Sequence, residues 1–166
     1  MSAPRTFSLK YPGWFEKRQD VRRKLDRINN GIWESEEEQL DYLRTVFGAV
    51  GEDLYFLEPV SFVNGKNIFI GDHVFIGPNV GIYTVNHALL PDQRNAGIMR
   101  SLPIAIGNNV WIGGHTVVMQ GVTIGDNTVI GAGSVVTHDI PAGVVAVGSP
   151  CRVLRKITEA DRVTPV

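Results

Sequence analysis

Apolar residues recur every six positions between residues 67 and 150. One aliphatic series, in which each member lies six residues after the last, is Ile106, Ile112, Val118, Ile124, Ile130 and Val136. A second series, two positions earlier, is Ile104, Val110, Thr116, Val122, Thr128, Ser134, Ile140 and Ala146. A period of six fits neither an α-helix, with a period of about 3.6, nor an isolated strand, with a period of about 2. It fits a coil with three flat faces joined by turns, and therefore predicts a parallel β-helix.

The two series are predicted to fill the inside of this three-sided prism. β-Branched side chains suit a pleated, buried face, and Thr128 and Ser134 indicate narrower layers in the same core. Residues 103 to 150 contain no lysine or arginine, and Asp126 and Asp139 are their only acids. An ordinary β-sandwich with a chance period is the alternative, but a phase held over so many hexads favours the β-helix.

The phase breaks once, after Ile82. The next member of its series is Ile106, 24 residues later, where six would continue the period, so 18 residues are inserted. This predicts a protruding loop at about 85–102, and a polar loop on a rigid scaffold is where function tends to lie. His87 opens the loop and can accept a proton from a hydroxyl near neutral pH, which makes it the candidate catalytic residue. The other three histidines are expected at corners or outward positions.

The flanks of the repeat predict three segments. Residues 1–53 form an arm with little structure (1–13), a basic helix (14–29) and a second helix, which starts at Ser35 with a capping box and closes at Gly51. These helices would cap the open end of the prism, which spans 54–150, with a transitional region at 54–63 and regular coils from about residue 67. Residues 151–166 are expected to hold a short helix and a tail. Arg152 and Arg155 would share a face of that helix, either as a phosphate site or as a solubilising surface.

Composition narrows the function further. The 166 residues carry a net charge of −1, so the sequence gives no sign of nucleic-acid binding. The single cysteine, Cys151, and the lack of a long apolar run indicate a cytoplasmic protein with no membrane partner. There is no Cys/His cluster for zinc and no phosphate-binding glycine motif, and Ser134 does not lie in a nucleophile elbow. No metal is therefore expected.

Several motifs carry a family resemblance. They are GNNVWIGG (107–114), GVTIGDN (121–127), VIGAGSVVT (129–137), DIPAG (139–143) and GSPCRV (148–153), together with His87 and the NAG of the loop. This run resembles the hexapeptide-repeat O-acetyltransferases, and the branch it is most similar to holds the galactoside, maltose and nodulation acetyltransferases. The resemblance implies a left-handed parallel β-helix and a homotrimer with sites between subunits.

The resemblance also implies site residues. His87 would be the general base that deprotonates an acceptor hydroxyl, which attacks the thioester of acetyl-CoA without an acyl-enzyme. The amide of Gly114 would hold the oxyanion, while Trp111 and Met99 would lie near the acceptor. The remaining matches concern CoA: Ala132, Thr137 and His138 at its arm, where the family often has lysine in place of His138, and Arg152 and Arg155 near its phosphates.

One departure concerns the acceptor. Members of the sugar branch have roughly one more coil before Val74, about 18 residues in a prism of six residues per face. That coil and an N-terminal aspartate hold the acceptor sugar in the family, and this chain lacks both. The leading hypothesis is an acetyl-CoA-dependent O-acetyltransferase acting on a sugar or sugar-like hydroxyl. The alternatives are a non-sugar acceptor, such as an antibiotic hydroxyl, serine or a nucleotide-linked amino sugar, and a non-catalytic β-helix that serves as an assembly module.

Overall fold

The computed structural model describes residues 5–10 and 12–164. In this part of the chain the strands are β1 (Arg5–Ser8), β2 (Ala49–Val50), β3 (Tyr55–Phe56), β4 (Val60–Val63), β5 (Ile68–Ile70), β6 (Phe75–Ile76), β7 (Val80–Tyr83), β8 (Val85–His87), β9 (Ile98–Ser101), β10 (Ile104–Ile106), β11 (Trp111–Ile112), β12 (Val117–Met119), β13 (Thr123–Ile124), β14 (Val129–Ile130), β15 (Val135–Val136), β16 (Val144–Val147) and β17 (Arg152–Lys156). The α-helices are α1 (Trp14–Asn30), α2 (Glu36–Val46) and α3 (Pro91–Asn95), and single 3-10 turns cover Gly65–Asn67 and Glu159–Asp161. No helix in these residues is long and apolar enough to cross a bilayer.

The strands stack into a three-sided prism, which confirms the predicted parallel β-helix. Face 1 consists of β2, β5, β10 and β13, face 2 of β3, β6, β11, β14, β16 and β17, and face 3 of β4, β7, β12 and β15. Within the faces, every strand except β17 pairs in parallel with its neighbours one coil away, so Ile106 lies between Ile70 below and Ile124 above. Corner 1–2 holds residues 51–53, 71–73, 107–109 and 125–127, corner 2–3 holds 77–79, 113–115 and 131–133, and corner 3–1 holds 64–67, 120–122 and 137–139.

Both apolar series point into the prism, as predicted. Ile104 and Ile106 are 0% and 3% exposed, and Thr128 and Ser134 are fully buried in the same core. The hydroxyl of Thr128 donates to the carbonyl of Pro141 (3.0 Å), so a polar side chain is satisfied inside the core. The two inward positions per hexad therefore create the period of six in the sequence.

The helices cap the first coil, as predicted, although the second helix is shorter than expected. Ser35 caps α2 by accepting from the Glu38 amide (3.1 Å), but α2 ends at Val46 rather than near Gly51. Residues 49–50 form β2 because they pair with Phe69 and Ile70 of face 1. The first coil therefore begins at Ala49, ahead of residue 54, and includes the region read as transitional.

The protruding segment predicted at about 85–102 is an ordered hairpin. Strands β8 and β9 pair antiparallel, with α3 at the tip. Strand β1 adds to the outer side of β9, so Arg5–Ser8 contradict the expectation of an arm with little structure. Residues 1–4 and 11 of that arm lie outside the described residues. The three strands β1, β9 and β8 are called the hairpin sheet below.

The C-terminal segment is the other correction. The helix expected after residue 151 is absent, and β17 instead pairs antiparallel with β16. Only Glu159–Asp161 form a single 3-10 turn, and residues 165–166 of the tail lie outside the described part. The reason is that β16, the last strand of face 2, exposes backbone groups along its edge, and β17 provides their partners.

Candidate active site

His87 lies at the end of β8, in a row that crosses the hairpin sheet. Met99 is directly opposite His87, and Phe7 is directly opposite Met99 on the other side. Residues paired in this way project from the same face of a sheet. Met99 is buried (4% exposed), whereas the imidazole of His87 is exposed. The candidate base is therefore accessible, although it stands opposite a buried residue on the same face of the sheet.

Trp111 and Gly114 lie on the same coil, at a different corner. Trp111 projects outward from face 2 and is 55% exposed, and Gly114 follows at corner 2–3. Among the described residues, no acceptor is found for the amides of Gly114 or of Ala132, which lies one coil above it. The residues stacked above them are Ala132 and Gly148, which have no side-chain acceptor.

Corner 1–2 differs from corner 2–3 because side chains pair its backbone amides. There the equivalent backbone amides of Glu52, Asp72 and Asn108 each donate a hydrogen bond to a side-chain Oδ1 one coil above, at 2.7–2.9 Å. This ladder stops at Asp126, above which Ala142 stands. Corner 2–3 thus leaves at least two adjacent N–H groups available to a ligand, where corner 1–2 uses side chains to pair them.

Close backbone packing shapes corner 2–3. A Cβ on Gly113 would lie 2.6 Å from the Ala132 amide nitrogen, so only glycine allows this stacking. His115, the residue after Gly114, is exposed and adopts a left-handed backbone with φ of 60°.

Thr137 and His138 are placed at corner 3–1, the corner from which the hairpin sheet leaves the prism after Thr84. Their side chains are joined by a 2.9 Å hydrogen bond between Oγ1 and Nδ1, and both residues are exposed. The expected site residues therefore fall into two groups: His87, Thr137 and His138 at corner 3–1, and Trp111, Gly114 and Ala132 on or beside corner 2–3.

Arg152 and Arg155 lie on β17 rather than on a helix. The guanidinium of Arg155 donates to both carboxylate oxygens of Asp161, at 2.8 and 2.7 Å. This ion pair raises the pKa of Arg155 and lowers that of Asp161. Arg152 donates to the carbonyl of Cys151 (2.8 Å), and no carboxylate among the described residues pairs with it. Arg152 is the freer of the two cations for an anionic ligand.

Other potential nucleophiles and metal ligands are buried, already paired or too dispersed to act in catalysis. Cys151 is 2% exposed, and burial raises the pKa of its thiol, so it is neither accessible nor activated. His73 is engaged with Asp53 (Nδ1–Oδ2 2.9 Å) at corner 1–2. No group of three or more potential metal ligands occurs within residues 5–10 and 12–164.

Sequence reasoning missed the residues of β1. Phe7 contacts Trp14 (ring centroids 5.7 Å apart) and stands opposite Met99, and Arg5 stands opposite Ser101. The alternation RTFS is too short to predict a strand by itself, and only pairing with β9 reveals it.

Comparison with known proteins identifies the family. Residues 103–138 match the model of the family described as bacterial transferase hexapeptide (six repeats). Galactoside O-acetyltransferase of Escherichia coli (strain K12) is 40% identical over 96% of this chain and 89% of that protein. The chain belongs to the hexapeptide-repeat acetyltransferases.

Solved structures of this family agree with the prism. The crystal structure of a maltose O-acetyltransferase from Clostridium difficile 630 matches with a TM-score of 0.77 and 38% identity, over 93% of this chain and 94% of that one. A galactoside acetyltransferase in complex with coenzyme A matches with a TM-score of 0.73 and 38% identity, over 95% and 88%. The fold of this hexapeptide-repeat acetyltransferase is thus the left-handed parallel β-helix, and the chain is an enzyme rather than an assembly module.

Proposed function

We propose that this enzyme transfers the acetyl group of acetyl-CoA to a hydroxyl of a sugar or sugar-like acceptor. The relatives named above act on galactosides and maltose, and one of them binds coenzyme A. The acceptor hydroxyl attacks the thioester carbonyl, the new C–O bond forms, and the C–S bond then breaks to release CoA.

The observation that carries this proposal is the pair of amides at Gly114 and Ala132 that are left without an acceptor. Attack on a thioester places negative charge on the carbonyl oxygen, and a preorganised N–H group stabilises that charge most in a site with little water. The Gly114 amide is assigned to this oxyanion. The Ala132 amide, one coil above, is assigned to the CoA arm.

His87 supplies the proton transfer. Its imidazole takes the hydroxyl proton as the oxygen attacks and returns it to the departing thiolate of CoA. No covalent acyl-enzyme is needed, in agreement with the burial of Cys151 and Ser134. Met99 and Trp111 are assigned to the surroundings of the acceptor.

A complete site requires two copies of the chain in this proposal. The hairpin sheet with His87 leaves the prism at corner 3–1, whereas Gly114 lies at corner 2–3, one six-residue face away. At about 3.3 Å per residue that face is roughly 20 Å long. A homotrimer would bring corner 3–1 of one prism beside corner 2–3 of the next.

The CoA groove is assigned to Ala132, Thr137, His138, Arg152 and Arg155. Arg152 is the principal phosphate ligand because Arg155 is held by Asp161. The protein would act in the cytoplasm, where acetyl-CoA is available and a lone buried cysteine stays reduced.

The experiment is an acetyl-transfer assay that follows CoA release with hexose acceptors. His87→Ala is expected to lower kcat by about 10²–10⁴-fold, the usual effect of losing a general base. His73→Ala is the matched control, because His73 is engaged with Asp53 at a corner that holds none of the proposed site. Full activity of His87→Ala would refute the mechanism.

A further inference from the structure

A cavity of about 280 Å³ lies where the hairpin sheet meets corner 3–1 of the prism. It is lined by Arg5, Asn64, Lys66, Asn67 and Phe69. None of these residues belongs to the site assigned above. Its size is close to the lower end of small-molecule sites in proteins, which are about 300–1,000 Å³.

The wall of this cavity is tied together by hydrogen bonds. The hydroxyl of Ser101, which is 2% exposed, accepts from the side-chain amides of both Asn64 (3.1 Å) and Asn67 (3.0 Å). Arg5 stands directly opposite Ser101 in the register of β1 and β9, so its side chain projects on the same face of the hairpin sheet. Two asparagines on the prism and one arginine on the hairpin sheet are thereby held on the two sides of one opening.

The proposed base and the Arg5 side of the cavity belong to the same face of the hairpin sheet. His87 is opposite Met99, and Ser101 is two residues further along β9, so His87 and Ser101 are diagonal neighbours. Such neighbours are about 7–8 Å apart. By the strand register, His87, Met99, Ser101 and Arg5 all project from one face of the sheet.

The lining carries charge of one sign. Arg5 and Lys66 are cations, and no acid is among the lining residues. The amine of Lys66 donates to the carbonyl of Phe47 (3.0 Å), which fixes its position and leaves its charge uncompensated. No ion-pair partner of Arg5 is found within the described part of the chain. A guanidinium with free N–H groups suits carboxylate and phosphate, and a cleft lined by one sign of charge favours ligands of the other.

We propose that this cavity binds the acceptor through an anionic group, so that the enzyme acetylates a sugar-like alcohol bearing a carboxylate or phosphate. Arg5 and Lys66 bind the anion, the half-buried ring of Phe69 provides an apolar wall, and a hydroxyl at the other end of the acceptor reaches His87. This rests on the proposed function, because it assigns the acceptor of the same site.

The test compares glucose, glucuronate and glucose 6-phosphate as acceptors, with kcat/KM as the readout. At least one anionic hexose is expected to exceed glucose by about tenfold or more, which corresponds to about 1.4 kcal/mol. Arg5→Gln is expected to abolish most of that preference. Arg100→Gln is the matched control, because Arg100 lies on the same strand as Ser101 but on the opposite face of the sheet, and it is expected to keep the preference.

Equilibrium binding of the same three hexoses without acetyl-CoA separates this inference from the proposed function. Binding of an anionic hexose that Arg5→Gln weakens tenfold and Arg100→Gln does not would support the cavity even if no acetyl transfer were seen. Acetyl transfer with equal kcat/KM for neutral and anionic hexoses would overturn the anion site and leave the proposed function standing. Failure of both anionic hexoses to bind the wild-type protein, or an equal effect of the two variants, would also overturn it.

Discussion

Arg155 and Asp161 form a two-point ion pair that closes the C-terminal segment on itself. The two guanidinium nitrogens donate to the two carboxylate oxygens at 2.8 and 2.7 Å. Asp161 also accepts from the Thr158 amide (2.9 Å), which caps the 3-10 turn at Glu159–Asp161. The pair therefore fixes the turn after β17 to the strand itself, and it occupies an arginine that the family resemblance assigns to CoA.

We expect Asp161→Asn to lower the midpoint of thermal unfolding at neutral pH, by a small amount because the pair is exposed. The Arg155 guanidinium holds the pKa of Asp161 below its ordinary value of 3.8. A carboxyl whose pKa is lowered by folding stabilises the fold above its unfolded-state pKa, and this contribution is lost as the pH falls through the folded value. The difference between wild type and variant, measured by calorimetry, should therefore be present at pH 7 and shrink as the pH falls below the ordinary carboxyl pKa.

Arg162 offers the control for that experiment. It pairs with Glu159 on the same turn, and among the described residues it has no hydrogen bond or ion pair to β17. Glu159→Gln should change the unfolding midpoint less than Asp161→Asn does. Equal effects of the two variants would mean that attachment of the turn to β17 contributes nothing.

A single substitution can delete the backbone N–H group of position 114. Gly114→Pro deletes the N–H group, and proline already occupies the equivalent position one coil below, at Pro78. Loss of one oxyanion donor should lower kcat by about 10²–10³-fold, with a smaller change in the KM for acetyl-CoA.

The Gly114→Ala variant separates the effect of losing the N–H group from the effect of adding a side chain. A Cβ at this position would lie 3.0 Å from the Pro78 carbonyl oxygen, a contact that both variants introduce. Only the proline variant lacks the donor, so the alanine variant should keep most of its kcat. Equal losses would assign the effect to crowding at the corner and would contradict the role of the amide.

The β-helix could be predicted from the sequence because its core residues recur at a fixed period along the chain. Ile104 and Ile106 are buried together, and each coil repeats that pair, so the period of six is a direct consequence of packing. The strands β1 and β17 could not be predicted in the same way. Each forms by antiparallel pairing with a strand already in place, β9 or β16, and a single four- or five-residue segment carries no period of its own.

The candidate site likewise contains residues that the sequence signals and residues that it does not. His87 can be proposed from the sequence because the hairpin sheet interrupts the period, and Gly114 because its motif resembles that of a family. The anion cavity has neither signal, since Arg5 and Lys66 are 61 positions apart and meet only through β1 and corner 3–1. The division of the proposed site between two corners likewise appears only in the folded structure, because sequence order does not show which corner each turn occupies.

Face 2 carries the surface that we expect to join copies of the chain. Tyr55, Phe75 and Trp111 are stacked in register on β3, β6 and β11, and each is at least 50% exposed. Exposed aromatic clusters of this kind are typical of protein interfaces. Phe75→Asp would place a charge in the middle of the row, and we expect it to convert the proposed trimer into monomers, measured by sedimentation at several concentrations.

Activity should fall together with assembly in that variant, because the proposed site is shared between corners of two copies. Ala49→Asp places the same charge at an exposed position of face 1 and should leave both assembly and activity intact. A Phe75→Asp protein that stays trimeric would exclude this row as the contact. A monomer with full activity would contradict the shared site.

Ser134 connects β15's coil to the segment that follows β16 through a buried hydroxyl. Its Oγ donates to the carbonyl of Gly131 and accepts from the Gly148 amide (3.1 Å), and the residue is fully buried. Ser134→Ala leaves the Gly148 amide without this acceptor, which should lower the free energy of unfolding by about 1–3 kcal/mol. Urea unfolding measures this, and Thr116→Val is the control because the Thr116 hydroxyl is also buried but makes only a 3.4 Å contact with the same carbonyl. The control should cost less, and if the two variants lost equal stability, the hydrogen bond to Gly148 would not be what holds the end of the prism together.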